Sequence, residues 1–97
     1  MRFDWDGRKA RSNLFKHHVS FEDAITAFDD PFALMAPDPK HSTASEERRW
    51  LIGESDIGVV VVVFTIRQPD SIYRLITARR ASRKERSRYE EAKRIPL

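Results

Sequence analysis

Four places in this 97-residue chain hold side chains suited to chemistry on an anion: Lys16-His17, Glu47-Arg48, Arg79-Arg80, and the stretch from Arg83 through Arg86 to Tyr89. A doubled arginine suits a ligand with more than one acceptor oxygen, because a guanidinium fork binds phosphate through two N–H groups at once. Residues 79–94 carry eight Lys/Arg against three Glu, so the positive charge there is not cancelled locally. The plain alternative for such a stretch is a solvated basic helix at the end of a domain.

Together these groups are the parts a metal-free ribonuclease needs. A base takes the proton of a ribose 2′-OH, which attacks the adjacent phosphate. Cationic donors stabilise the charge of the pentacovalent transition state, and an acid protonates the departing 5′ oxygen. Competing signals are weaker. His17-His18 has the composition of a metal site, but neighbouring helical side chains point about 100° apart and spacing supplies no third ligand. His41 stands alone in a loop and adds little. Asp29-Asp30 before Pro31 reads as a helix stop. Trp50 and Phe64 read as core. No Gly-rich phosphate loop and no Gly-x-Ser-x-Gly elbow is present.

The elements that must position these groups follow from pattern. Residues 3–5 alternate and predict a short edge strand. Asp6 predicts the N-cap of a helix over 7–17, with Asn13 inside it, Ala10 and Leu14 as a thin apolar stripe, and Lys16, His17 and His18 at its end. Ser20, with Asp23 three residues on, predicts a second helix whose face is Phe21, Ala24, Ile25 and Phe28. Residues 32–36 predict a strand and 37–45 a surface loop. A strand follows from Glu47 to Ile52, then a polar turn over 53–58. The β-branched run 59–66 predicts a central strand. Gln68-Pro69-Asp70-Ser71 predicts the turn of a hairpin whose second arm is 72–78. Ser82 and Glu85 have the spacing of a capping box, opening a last helix on which Glu85, Tyr89 and Lys93 share a face. Helices, then strands, then a helix imply a single α+β domain on an antiparallel sheet.

Composition narrows the partners. The net charge of +3 conceals +3 over residues 1–18, −6 over 19–56 and +6 over 67–97. Such segregation fits a cationic site for a polyanion beside a separate acidic surface. Zero cysteines exclude a disulfide framework and fit a reducing compartment. The N-terminal residues have no apolar h-region of a secretory signal, and the longest apolar run is far too short to span a bilayer. The expectation is a cytoplasmic protein with no cofactor.

The order Phe3-Asp4-Trp5-Asp6, Lys9, Asn13, Lys16-His17, Val19-Ser20-Phe21, Asp38, His41-Ser42, Glu47-Arg48, Ile52-Gly53, Ala78-Arg79-Arg80-Ala81-Ser82, Glu85-Arg86 and Tyr89-Glu90 resembles the BrnT family of bacterial type II toxins. His18 stands where the family usually has Gly, and Gly7 where it often has Pro. A Gly there suits a left-handed helix C-cap, a conformation His tolerates better than most.

The resemblance implies a fold similar to the RelE ribonucleases, with two N-terminal helices on a small antiparallel sheet and a C-terminal helix. It implies RNA cleavage without a metal, arrest of growth, and neutralisation by a BrnA-type antitoxin in a two-plus-two complex that binds operator DNA through the antitoxin. On this reading Arg79 and Arg80 hold the scissile phosphate, Glu47 or His17 is the base, and Tyr89 or Lys16 the acid. Arg48, Arg83 and Arg86 then position the RNA backbone. The same arginines also fit a non-catalytic nucleic-acid or protein-binding module. A structural partner subunit would need no particular arginine.

Overall fold

The β-branched run at 59–66 lies at the centre of a sheet, as a run with Thr65 as its one polar residue requires. The computed structural model describes residues 1–94. The sheet comprises β1 (Arg2–Trp5), β2 (Leu34–Pro37), β3 (Arg49–Ser55), β4 (Gly58–Arg67) and β5 (Ile72–Arg80), in the order β1-β5-β4-β3-β2. The helices are α1 (Gly7–His17), α2 (Phe21–Ala24) and α3 (Arg83–Lys93), with a 3-10 segment (Ile25–Asp29) continuing α2. The α+β class and the C-terminal helix are as expected.

One face of the sheet carries the main core. Leu51, Val60, Val62, Phe64, Leu75 and Ala78 pack there against Val19, Phe21, Ala24 and Ala27. Phe28 adds an edge-on contact to Phe64 with ring centroids 5.1 Å apart. The opposite face is covered at one end only, where Tyr89 of α3 packs on Ile52 and Val61 beside Leu34, Val59 and Ala81. Tyr89 is the buried residue of α3, and apart from Ala92 the rest of that helix is polar. Its start is fixed instead by the expected capping box, in which the Ser82 hydroxyl accepts from the Glu85 amide at 3.2 Å and Glu85 accepts from the Ser82 amide at 2.9 Å.

Several expectations change. The sheet is mixed, because β1 runs parallel to β5 while the other pairs are antiparallel. Alternation in a four-residue strand carries no information about direction. The second N-terminal helix keeps α geometry for only four residues before tightening to 3-10. There Thr26 turns its hydroxyl back onto the Asp23 carbonyl at 2.6 Å, the backbone competition that disfavours Thr inside helices. The polar turn at 53–58 shrinks to Asp56 and Ile57, since Ser55 already pairs with Gly58. Gly53 lies inside β3 because a Cβ there would meet the Ala27 carbonyl at 3.0 Å and the Ala33 methyl at 3.1 Å. His18 adopts φ 58°, the left-handed C-cap that closes α1.

Most consequential is the far end of β5. The strand runs two residues past the expected 78, so Arg79 and Arg80 belong to it rather than to a linker. Successive strand residues face opposite ways. Arg79 pairs with Val61, on the partly open face, and Arg80 with Val60, on the core face.

Candidate active site

Asn13 decides how the first helix meets the sheet. The Ala10–Leu14 stripe seats α1 only in part, since Ala10 packs at the margin of the core but Leu14 is half exposed. Asn13 is buried instead. Its Nδ2 donates to the carbonyls of Val19 (3.0 Å) and Ala78 (2.8 Å), and its Oδ1 accepts from the Ala78 amide at 3.0 Å. Pairing with β1 ends at Leu75, so the Asn13 amide takes over the edge of β5 as a one-residue substitute for a strand. His17, one turn further on, is thereby carried to the side of Thr77.

β5 is irregular at the same place. Val63 pairs with Thr77 and Phe64 with Leu75, which leaves Ile76 as an extra residue in a β-bulge. Ile76 and Thr77 therefore both face the open side. They complete the floor of a groove with Trp50, Ile52, Val61 and Val63. The groove has a volume of about 470 Å³, and its rim carries His17, Asp38, His41, Arg48, Arg79, Glu85 and Arg88. Three arginines against two carboxylates leave the rim net positive before either imidazole is counted.

Five of the rim groups are held by polar contacts. Arg79 donates from Nη1 to Glu85 Oε1 at 2.7 Å and from Nη2 to Oε2 at 2.9 Å. The guanidinium lowers the Glu85 carboxyl from 4.5 to about 2, with help from Ser82, and Glu85 in turn raises Arg79. Nη1 also reaches the Arg80 carbonyl at 3.4 Å, so this end-on pairing leaves the Nε–H and the outer N–H of Nη2 available. Arg48 donates through Nε to Glu46 at 3.1 Å. The loop after β2 is fastened to the start of β3 by the Ser42 hydroxyl, which donates to the Asp38 carbonyl at 2.7 Å and accepts from the Arg48 amide at 2.8 Å. Within that loop His41 Nδ1 lies 2.8 Å from Asp38 Oδ2. His41, set aside in the sequence as solitary, has a carboxylate partner that spacing three apart in a loop could have suggested. Arg88, also on the rim, carried no distinguishing sequence feature within a run of basic residues.

The remaining expected site residues lie elsewhere. Lys16 lines an adjoining hollow with Lys9, Ser12 and Asn13, sharing His17, Ile76 and Thr77 with the groove. Glu47 is exposed, pairs with Arg49 at 3.4 Å, and lines a separate depression beside Glu46 and Arg67. Arg80 turns away to donate to the Ile57 carbonyl at 2.7 Å. Arg83 and Arg86 line the outer side of α3 with Glu90 and Glu91. Tyr89 is buried and gives its hydroxyl to Asp30. Burial, then the Asp30 carboxylate, raises its phenol. Burial pushes Asp30 up, but the Tyr89 hydroxyl and the amides of Glu54 and Phe32 outweigh it and hold the carboxyl below its usual value. Among the described residues, no three His, Asp or Glu side chains gather as a metal cluster, and no helix is long and apolar enough to cross a membrane.

The chain is thus a small α+β domain with a histidine-bearing groove of net positive rim on the open face of its sheet. Residues 5–85 match the family model described as ribonuclease toxin, BrnT, of type II toxin-antitoxin system, and the chain belongs to that family. No curated protein matches the chain. Membership implies a ribonuclease toxin with an RNA substrate and an antitoxin partner.

Proposed function

We propose that the groove is the active site of a metal-independent, RelE-like endoribonuclease that cleaves RNA in the cytoplasm and arrests growth. The observation that carries this reading is the meeting of His17, Arg48, Arg79 and Arg88 on one open face. His17 takes the 2′-OH proton as the 2′ oxygen attacks phosphorus. The free N–H groups of Arg79, with Arg48 and Arg88, stabilise the charge that gathers on the phosphoryl oxygens, where one well-aimed donor contributes about 10²–10³ in rate. Lys16 beside the groove and Arg83 and Arg86 outside it hold flanking phosphates. Arg80, Glu47 and Tyr89 have no part in this mechanism, for Arg80 faces away, Glu47 lies in another depression, and the Tyr89 proton is committed to Asp30. A BrnA-type antitoxin, in a two-plus-two complex that binds operator DNA through the antitoxin, inhibits by covering the groove and its arginines.

The test is cleavage of an RNA oligonucleotide by the purified protein in excess chelator, with the product ends identified. The expected result is undiminished cleavage to a 2′,3′-cyclic phosphate and a 5′-OH. Loss of cleavage in chelator, restored by a divalent ion, contradicts the mechanism. Tight RNA binding with no cleavage under any condition favours a binding module instead.

A further inference from the structure

In-line displacement places the attacking and leaving oxygens on opposite sides of phosphorus, so the acid must stand across the groove from the base. His17 stands on the wall beside β5. The facing wall is the connection between β2 and β3, with β3, β4 and β5 forming the floor between them. Two strand spacings make that floor roughly 10 Å wide, a gap that side chains leaning in from either wall can share with one phosphate.

We propose that His41 is the acid, and that Asp38 is the positioning residue that aims it. The proposal rests on the ribonuclease reading and supplies the proton donor which that reading lacks. The Asp38 side chain is only 13% exposed, whereas the His41 side chain is 57% exposed and lines the groove. A carboxylate accepts and cannot donate, so in the 2.8 Å contact Nδ1–H donates to Asp38, which leaves Nε2 facing the groove and, in the imidazolium form the step uses, carrying the second proton. Asp38 itself is rigidly placed. Its amide donates to the Arg48 carbonyl at 2.8 Å, its carbonyl accepts from Ser42, and Pro37 and Pro39 flank it with fixed φ. The Ser42 hydroxyl and these backbone bonds already fasten the loop, so the imidazole is not needed to close it. The same fastening sets the distance between His41 and Arg48.

The step balances. The 2′ oxygen forms its bond to phosphorus as its proton passes to His17. The bond from phosphorus to the 5′ oxygen breaks, and that oxygen takes the proton carried on His41 Nε2. The products are a 2′,3′-cyclic phosphate and a 5′-OH, with His17 protonated and His41 neutral.

The experiment uses the whole chain and two substrates: an RNA oligonucleotide, whose 5′ oxygen needs a proton, and a ribonucleoside 3′-(4-nitrophenyl phosphate), whose phenolate leaves without one. His41→Ala and His41→Gln should slow RNA cleavage by about 10²–10⁴-fold, yet leave the activated diester within about threefold of wild type. Asp38→Asn should shift the two substrates in the same directions. His17→Ala should slow both. Equal losses on the two substrates, or RNA cleavage by His41→Ala at the wild-type rate, would overturn the assignment. If the wild-type chain cleaves neither substrate, the ribonuclease reading fails first. His41 is more than half exposed, so its variants should fold, and matching thermal unfolding to wild type checks this.

Discussion

Arg79 gives one edge of its guanidinium to Glu85 and keeps its Nε–H and an N–H of Nη2 for the groove, so the ion pair aims the residue rather than consuming it. The pair also stabilises the fold, in a pH window set by Glu85. Its carboxyl falls from 4.5 to about 2 on folding, so the unfolded chain binds the proton more readily. The stabilisation is therefore complete above about pH 4.5 and lost as pH falls towards 2. Glu85→Gln keeps the hydrogen bond to Ser82 but not the charge. Its melting temperature should lie below wild type at neutral pH and converge with it near pH 2. A constant gap across that range would mean that the charge contributes nothing. Tyr89 separates structure from chemistry at the same scale. Tyr89→Phe removes one donor from Asp30, which retains the amides of Glu54 and Phe32 at 2.8 and 2.9 Å. Urea unfolding should show a loss of about 1–2 kcal/mol, with RNA cleavage within about twofold of wild type. A folded Tyr89→Phe protein with cleavage abolished would restore Tyr89 as the acid.

The elements were legible where local chemistry fixes them. Asp6 and Ser20 cap the helices they should, the Ser82–Glu85 box forms, and the valine run is central. What pattern could not supply was non-local. The direction of β1 depends on a partner some seventy residues away. The bulge at Ile76 comes from mismatched pairing between two strands, each of which looks regular alone. The length of β5 decides which of two identical side chains faces the groove, and extending a strand by two residues leaves no mark in composition. For the candidate site, His17, Arg48 and Arg79 could be chosen from residue type, but their separation from Arg80, Glu47 and Tyr89 needed the sheet. Asn13 shows how much one polar residue carries. Asn13→Ala orphans the carbonyl and amide of Ala78 at the edge of β5 and the carbonyl of Val19, and should cost about 3 kcal/mol in denaturant unfolding. Cleavage should fall as well, because the end of α1 that bears His17 loses its tie. Stability within about 0.5 kcal/mol of wild type would show that other contacts seat the helix.

At the scale of the whole molecule the sheet divides the labour. One face is filled by the N-terminal helices and the 3-10 segment that carries Phe28, while the other is half covered by α3 and keeps its remaining area for the groove. The charge partition seen along the chain follows the same division only in part. Asp38 and Glu46 hold His41 and Arg48 within the negative middle of the chain, and Glu85 holds Arg79 within the positive end, so each pair at the groove is made inside its own segment. Arg79 and Arg80 give the sharpest test of the account, because they are adjacent, chemically identical and on opposite faces. RNA cleavage rates of Arg79→Ala and Arg80→Ala should be measured side by side under single-turnover conditions. The account predicts a loss of about 10²–10³-fold for Arg79→Ala and a rate within about threefold of wild type for Arg80→Ala. A severe loss for Arg80→Ala with Arg79→Ala near wild type would contradict it, placing the reaction on the other face of the sheet.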